Sequence, residues 1–129
     1  MRVLDTSQVI ALHDELVCAT GGSLGLHDAG LLESALAAPF VEFHGVEAHP
    51  GIARKAARLC WGIIENHPFV DGNKRTGVHV MLVLLALNGV ELEHTQDDLV
   101  SLAVGAARGD IDANDITEWI QAHESGTRT

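Results

Sequence analysis

The sequence predicts an all-α protein, a single compact bundle of about six helices with a central buried helix. Three observations predict it. Apolar residues recur every three or four positions along nearly the whole chain, the period of one helix face. Glycine or proline stands where the periodic runs stop, at Gly21-Gly22, Pro39, Pro68, Gly89 and Gly109. Finally, 129 residues that are 47% hydrophobic with only 3 prolines suit one folded domain, residues 1–129, rather than a disordered chain.

In order, Thr6 or Ser7 is expected to cap a first helix with Val9, Ile10, His13, Leu16 and Val17 on one side. Gly21-Gly22 ends it, because glycine accepts the left-handed geometry of a helix exit. Asp28 caps a short second helix bearing Leu31, Leu32, Ala35 and Leu36, closed by Pro39. Residues 40–49 show no period and read as an exposed loop. Pro50 suits the first turn of a third helix, whose broad stripe is Ile52, Ala56, Leu59, Cys60, Ile63 and Ile64. Pro68 forces His67 out of helical geometry, so that helix stops near Asn66.

A fourth helix runs from about Asn73 to Asn88 and is apolar almost all round beyond Gly77. That pattern marks it as the central helix. Val90 to Glu93 reads as extended without an evident partner. Thr95-x-x-Asp98 and Asp112-x-x-Asp115 look like capping boxes opening the fifth and sixth helices.

Composition excludes several function classes. Eighteen acids against eight Lys+Arg leave a net charge of −10, which repels nucleic acid and anionic lipid. With no tyrosine and 4% aromatics, a base-stacking platform is not expected. Cys18 and Cys60 form no metal or disulfide pattern and read as buried thiols of a reducing compartment. The N-terminus lacks the apolar core of a signal peptide. Val78 to Leu87 falls short of the about 20 residues that span a bilayer. A cytoplasmic protein without membrane contact is the expectation.

One segment breaks the apolar pattern: His67-Pro-Phe-Val-Asp71-Gly72-Asn73-Lys74-Arg75-Thr76-Gly77. Gly72 to Arg75 falls where the fourth helix begins, so unbonded N–H groups and the positive end of the helix dipole meet there. Lys74 and Arg75 add two charges that the dipole disfavours unless an anion offsets them, and a polyphosphate is the natural candidate. Asp71 beside an anion site calls for a bridging cation, and magnesium bound by one carboxylate plus phosphate oxygens fits. His67 is the group able to take a proton near neutral pH. Transfer of a phosphorus-centred group to a hydroxyl follows from that set. Singly, each residue also has a plain reading: a turn histidine, a capping Asp71 or Asn73, a turn glycine, a solvated Lys74 and Arg75. Phe69 reads as a core plug.

The segment resembles the motif of the Fic/Doc superfamily, H-x-F-x-[D/E]-[G/A]-N-[G/K]-R, and its lysine resembles the death-on-curing (Doc) branch. Ala11-Leu12-His13-Asp14, Gly21-Gly22, Gly25, Asp28-Ala29-Gly30-Leu31-Leu32-Glu33, Ala56-Ala57 and Asn88-Gly89 extend the likeness over roughly residues 10–92. The resemblance implies His67 as general base, Asp71 as the magnesium acid, Gly72 and Asn73 as anion-loop positions, and Lys74 and Arg75 as phosphate-holding cations. It implies a toxin of a type II toxin–antitoxin module that uses ATP to phosphorylate a threonine of elongation factor Tu and arrests translation. It also implies an antitoxin partner whose disordered tail folds onto the toxin, and DNA contact only through that partner. Lys74, and Val78 where AMP-transferring Fic enzymes carry a second arginine, favour γ-phosphoryl transfer over AMP transfer. A catalytically idle antitoxin-binding corepressor is the third reading.

Weaker features remain. Glu42, His44, Glu47 and His49 read as exposed loop residues rather than a metal cluster, in a loop placed to admit substrate. Arg54, Lys55 and Arg58 read as a solvated face or as a dock for an acidic partner, and His79 as a core histidine.

Overall fold

The computed structural model describes residues 1–125; residues 126–129 of the expected domain lie outside the described residues. Helices α1 (Thr6–Thr20), α2 (Ala29–Ala37), α3 (Ile52–Asn66), α4 (Asn73–Leu87), α5 (Gln96–Arg108) and α6 (Ala113–His123) form the bundle. The all-α expectation holds, with one addition. Residues 40–49 are not an irregular loop but a small antiparallel hairpin, β1 (Glu42–Phe43) and β2 (Val46–Glu47), reached through a 3₁₀ turn at Ala38–Phe40. Strands of two residues are too short for an alternating pattern to register in the sequence.

The helix starts are chemically explicit. Asp5, not Thr6 or Ser7, caps α1: its carboxylate accepts from Gln8 N–H at 2.8 Å while Asp5 N–H donates back to Gln8 Oε1 at 2.9 Å. Both groups of the expected Thr95–Asp98 and Asp112–Asp115 boxes are made. Asp28 caps α2 through Leu31 N–H. Helix α3 begins one residue past Gly51, so Pro50 precedes it. The Val90–Glu93 segment does find a partner, the chain leaving α6: Glu93 N–H donates to His123 O and Ser125 N–H to Glu91 O.

The central helix is α3, not α4. It touches α2, the 3₁₀ turn, α4, α5 and α6, because Ala56, Ala57 and Gly62 let neighbours approach. A Cβ on Gly62 would lie 3.3 Å from Ala35 Cβ. Helix α4 packs on α1, α3 and α5, and its C-terminal Ala86 and Leu87 are exposed. The α3–α4 crossing is tightest at Gly77, whose added Cβ would stand 2.9 Å from Ile64 Cγ1 and 3.1 Å from Cys60 O. That crossing fixes where α4 starts relative to where α3 stops, and hence the shape of the turn between them. Cys60 is buried, which pushes its thiol up to about 12, but Cys18 is exposed, contrary to the expectation of two buried thiols. Cys18 follows Val17 on α1 and faces away from its apolar stripe.

Candidate active site

The connection from α3 to α4 is a clamped turn. His67 ends α3 in the left-handed region (φ 52°, ψ 53°), its N–H donating to Ile63 O. The following proline disfavours another right-handed helical residue there, and the left-handed setting is that of a helix exit, here adopted by a residue other than glycine. The segment between α1 and α2 forms the bed of the turn. Pro68 O accepts from the N–H groups of His27 (2.7 Å) and Asp28 (3.0 Å), and Val70 N–H donates to Gly25 O (3.0 Å). Gly25 is required there: at φ +128° its added Cβ would meet Val70 Cγ2 at 3.0 Å.

Phe69 is the expected plug, 1% exposed. Asn73 holds it by both backbone groups. Its Oδ1 accepts from Phe69 N–H (3.0 Å) and its Nδ2 donates to Phe69 O (2.9 Å). The Asn73 side chain is thus spent on bracing the turn, which leaves its backbone N–H, one of the first of α4, as the group it can offer a ligand.

Gly72 (φ +79°) leads into α4, whose first intrahelical bond is Thr76 N–H to Gly72 O. The N–H groups of Asn73, Lys74 and Arg75 therefore precede the ladder and form the positive end of the helix. Asp71 sits beside them. One carboxylate oxygen accepts from Ser23 N–H (3.1 Å), the other from Gly72 N–H (2.8 Å). Chiefly these bonds, and then the nearby Arg75 and His13, hold its carboxyl below the usual range. An ionised carboxylate with a lone pair left on each oxygen fits a magnesium ion that arrives with phosphate. Among the described residues no cluster of three His, Cys, Asp or Glu forms a closed metal cage.

Lys74 is exposed. Arg75 is tethered: its Nη1 donates to Thr20 Oγ1 and, at 2.9 Å, to Gly21 O. The C-terminal carbonyl end of α1 thereby offsets part of the charge that Arg75 adds to the start of α4. Gly22 threads between Asp71 and Arg75, where an added Cβ would lie 2.7 Å from Asp71 Oδ2 and 3.1 Å from Arg75 Nη2.

These residues converge on one open cavity of about 430 Å³, lined by His67, Asp71, Gly72, Asn73, Lys74 and Arg75 together with Ile64, Val70 and Ala107. His67 is exposed at its rim. A base, a carboxylate, a row of free N–H groups and two cations around one space can bind an anionic, metal-bearing ligand and take a proton from a second molecule. Lys74 and Arg75 also border a second, more apolar cavity of about 330 Å³ between α4 and α5, with Val78, Gln96, Leu99, Val100, Ala103 and Val104.

Sequence reasoning missed His13, fully buried and bonded to the turn through Asp71 O. Its signals were a histidine in an otherwise apolar stripe and its place in the Ala11–Asp14 run that carries the family likeness. The basic face of α3 also differs from expectation. Lys55 is buried and joins the hairpin to α3, its Nζ pairing with Glu47 Oε1 at 3.0 Å and donating to His49 O. Arg58 lies over the Trp61 ring, 4.8 Å from its centroid. Partial burial and then the Arg58, Lys55 and Arg54 charges hold the His49 imidazole below its ordinary value. His79 is half-buried on α4. No helix among the described residues is long and apolar enough to cross a membrane.

Comparison with known proteins identifies the family of the chain. The family model described as Fic/DOC family matches residues 3–85, from the start of the chain through most of α4. A protein named Toxin Doc from Mycolicibacterium smegmatis is 45% identical over 74 residues, covering 57% of this chain and 57% of that one. A protein named Protein kinase doc from Escherichia phage P1 is 29% identical over 121 residues, 94% of each chain. The family match takes in α1, the glycine bed and the whole motif, the parts that build the cavity. The chain belongs to the Fic/DOC family.

Proposed function

We propose that the chain is a Doc-like toxin that acts as a protein kinase, transferring the γ-phosphoryl group of ATP to a serine or threonine hydroxyl of a translation factor. The observation that carries the reading is the shared cavity: His67 stands exposed at its rim while Asp71, Lys74, Arg75 and the free N–H groups of α4 line it. The name of the phage relative, a protein kinase, supports the same reaction.

Each residue has a definite task. The N–H groups at the start of α4 and the Lys74 and Arg75 side chains hold the phosphates and draw off the charge that builds on the departing oxygen. The Asp71 carboxylate would hold magnesium, which when bound would supply neutralisation of the phosphate charge. The His67 imidazole takes the proton of the target hydroxyl, whose oxygen forms the new bond to the γ-phosphorus as the bond to the β-phosphate oxygen breaks and ADP leaves. His67 is suited to that task by its exposure, and its ring has no hydrogen-bond partner among the described residues.

Val78 lies buried on α4 where a second arginine would hold a distal phosphate in AMP-transferring relatives. That substitution favours the orientation that brings the γ-phosphoryl group to His67. By the family resemblance, elongation factor Tu is the target and translation arrest the outcome. The partner is then an antitoxin whose tail folds onto the toxin and which alone meets DNA, and the setting is the cytoplasm.

ATP labelled at the α or the γ position tests the reading, with purified chain, magnesium and elongation factor Tu. Label passing from the γ position to the target, and lost in His67→Ala, is the expected result. Transfer from the α position would establish AMP transfer instead. Transfer from neither, with antitoxin still bound, would favour an idle corepressor or a different protein substrate.

A further inference from the structure

The Asp71–Gly72 peptide is where the anion site starts, and it is held from behind. His13 of α1 is fully buried, and its Nε2 lies 2.8 Å from Asp71 O. A backbone carbonyl only accepts, so Nε2 carries the proton of that bond. The ring has little freedom. It stacks on Phe69 with centroids 3.8 Å apart and planes 6° from parallel, and Nδ1 is 3.0 Å from Asp14 Oδ1. A Cβ on Gly72 would lie 3.7 Å from Nε2 and 3.2 Å from Val17 Cγ2, so α1 packs directly against this peptide.

In a trans peptide the C=O and the following N–H point to opposite sides. No cis peptide occurs among the described residues. Holding Asp71 O toward α1 therefore aims Gly72 N–H the other way, to the side where it meets Asp71 Oδ1 at 2.8 Å. Gly72 stands at φ +79°, and glycine tolerates the opposite setting of φ about as well. Nothing in residue 72 itself prevents the peptide from turning over. A turned peptide would present a carbonyl oxygen to the phosphates and release Asp71 Oδ1 from its donor.

We infer that His13 is a positioning residue that locks the Asp71–Gly72 peptide with its C=O on α1 and its N–H on the Asp71 carboxylate, so that the anion site is kept clear of that carbonyl oxygen before ligand arrives. It touches neither nucleotide nor target; it acts through the peptide it holds. The inference rests on the proposed nucleotide-binding reading for its functional consequence, but the lock itself is a property of the ligand-free chain.

Two variants separate the lock from mere packing. His13→Phe keeps a ring to stack on Phe69 and removes the donor; His13→Gln restores an N–H at comparable reach. Amide hydrogen exchange by NMR, without ligand, reads the lock. Gly72 and the first turn of α4 are expected to exchange about tenfold faster in His13→Phe while the middle of α4 is unchanged, a local opening rather than a global one. Affinity for magnesium with a non-hydrolysable ATP analogue is expected to fall roughly five- to tenfold in His13→Phe, as for loss of one hydrogen bond, and to return in His13→Gln.

If His13→Phe does not fold, 15N NMR of the His13 ring in the unmodified chain reads the same bond: a proton on Nε2 that exchanges slowly and couples to the Asp71 carbonyl is expected, and a bare Nε2 would overturn the lock. Unchanged Gly72 exchange and unchanged analogue affinity in the folded variants would overturn the lock. Failure of His13→Gln to restore what His13→Phe loses would overturn it as well, since volume rather than the donor would then be at work. Absence of nucleotide binding by the unmodified chain would overturn the kinase reading instead, and the exchange comparison would still decide the role of His13.

Discussion

Replacing Asn73 by alanine separates a brace from a phosphate ligand. In the structure both polar atoms of the Asn73 side chain are spent on Phe69, one on its N–H and one on its C=O. Phe69 is 1% exposed and Asn73 4%, so water does not readily replace either bond. Asn73→Ala leaves two buried backbone groups unpaired, each at about 1–3 kcal/mol. Alanine recovers only about 0.5 kcal/mol through its higher helix propensity. A net loss of about 3 kcal/mol is expected, which for a domain of this size lowers Tm by roughly 10 °C. Urea unfolding monitored by circular dichroism measures it, with the midpoint shifted and the slope m unchanged. A variant within about 0.5 kcal/mol of the parent that has nonetheless lost its affinity for ATP would refute the brace. The side chain would then be a direct phosphate ligand.

Other outcomes follow from the same structure. Gly77→Ala forces a Cβ to 2.9 Å from Ile64 Cγ1 and is expected to destabilise the fold by about 1–3 kcal/mol, read as a lowered urea midpoint. A midpoint at or above the parent's would mean the α3–α4 crossing is looser than described. Acid should unfold the protein partly through three carboxyls. Asp71 is held below its ordinary value of 3.8 mainly by Ser23 N–H, Asp5 by Gln8 N–H and Asp98 by Thr95 N–H. Depressed values mean stability present above 3.8 and lost as the pH falls through the folded-state values. Tm plotted against pH should therefore fall steeply below pH 3.8, and less steeply in Asp71→Asn; coincident curves would contradict the assignment at Asp71. A thiol reagent should modify Cys18 in the folded protein and reach Cys60 only on unfolding, since burial both hides that thiol and raises its pKa to about 12. Mass spectrometry after brief labelling checks it.

Much of this architecture was legible in the sequence where local chemistry is decisive. The boxes at Thr95–Asp98 and Asp112–Asp115, the stop imposed by Pro68 and the glycine exits each depend on neighbours within four residues. What failed to show depends on tertiary context. Asp5, Thr6 and Ser7 are all good cap residues, and only the reach of Gln8 back to Asp5 selects the first. An apolar surface all round made α4 look central, whereas small residues at contact points give that place to α3. Lys55 looked solvated because its partners, Glu47 of the hairpin and His49 O just after it, are brought to it by strands too short to show a period.

The candidate site divides in the same way. The run from His67 to Arg75 marked, through residue types alone, the helix start where the candidate site lies. The division of labour within it did not show, because the jobs of Asn73, Arg75 and His13 are set by Phe69, the end of α1 and the Asp71 carbonyl, all reached through folding.

On the proposed function, the beginning of α4 grips ATP with magnesium while His67 stands aside for the proton. Isothermal titration of a non-hydrolysable ATP analogue with magnesium tests it most directly, on the unmodified chain, His67→Ala and the double variant Lys74→Ala/Arg75→Ala. Saturable, magnesium-dependent binding that His67→Ala retains is the expected result. Binding at least ~100-fold weaker is expected in the double variant, because charged hydrogen bonds contribute about 1.5–3 kcal/mol each. Magnesium-independent or absent binding by the unmodified chain, or equal affinity in the folded double variant, would contradict it.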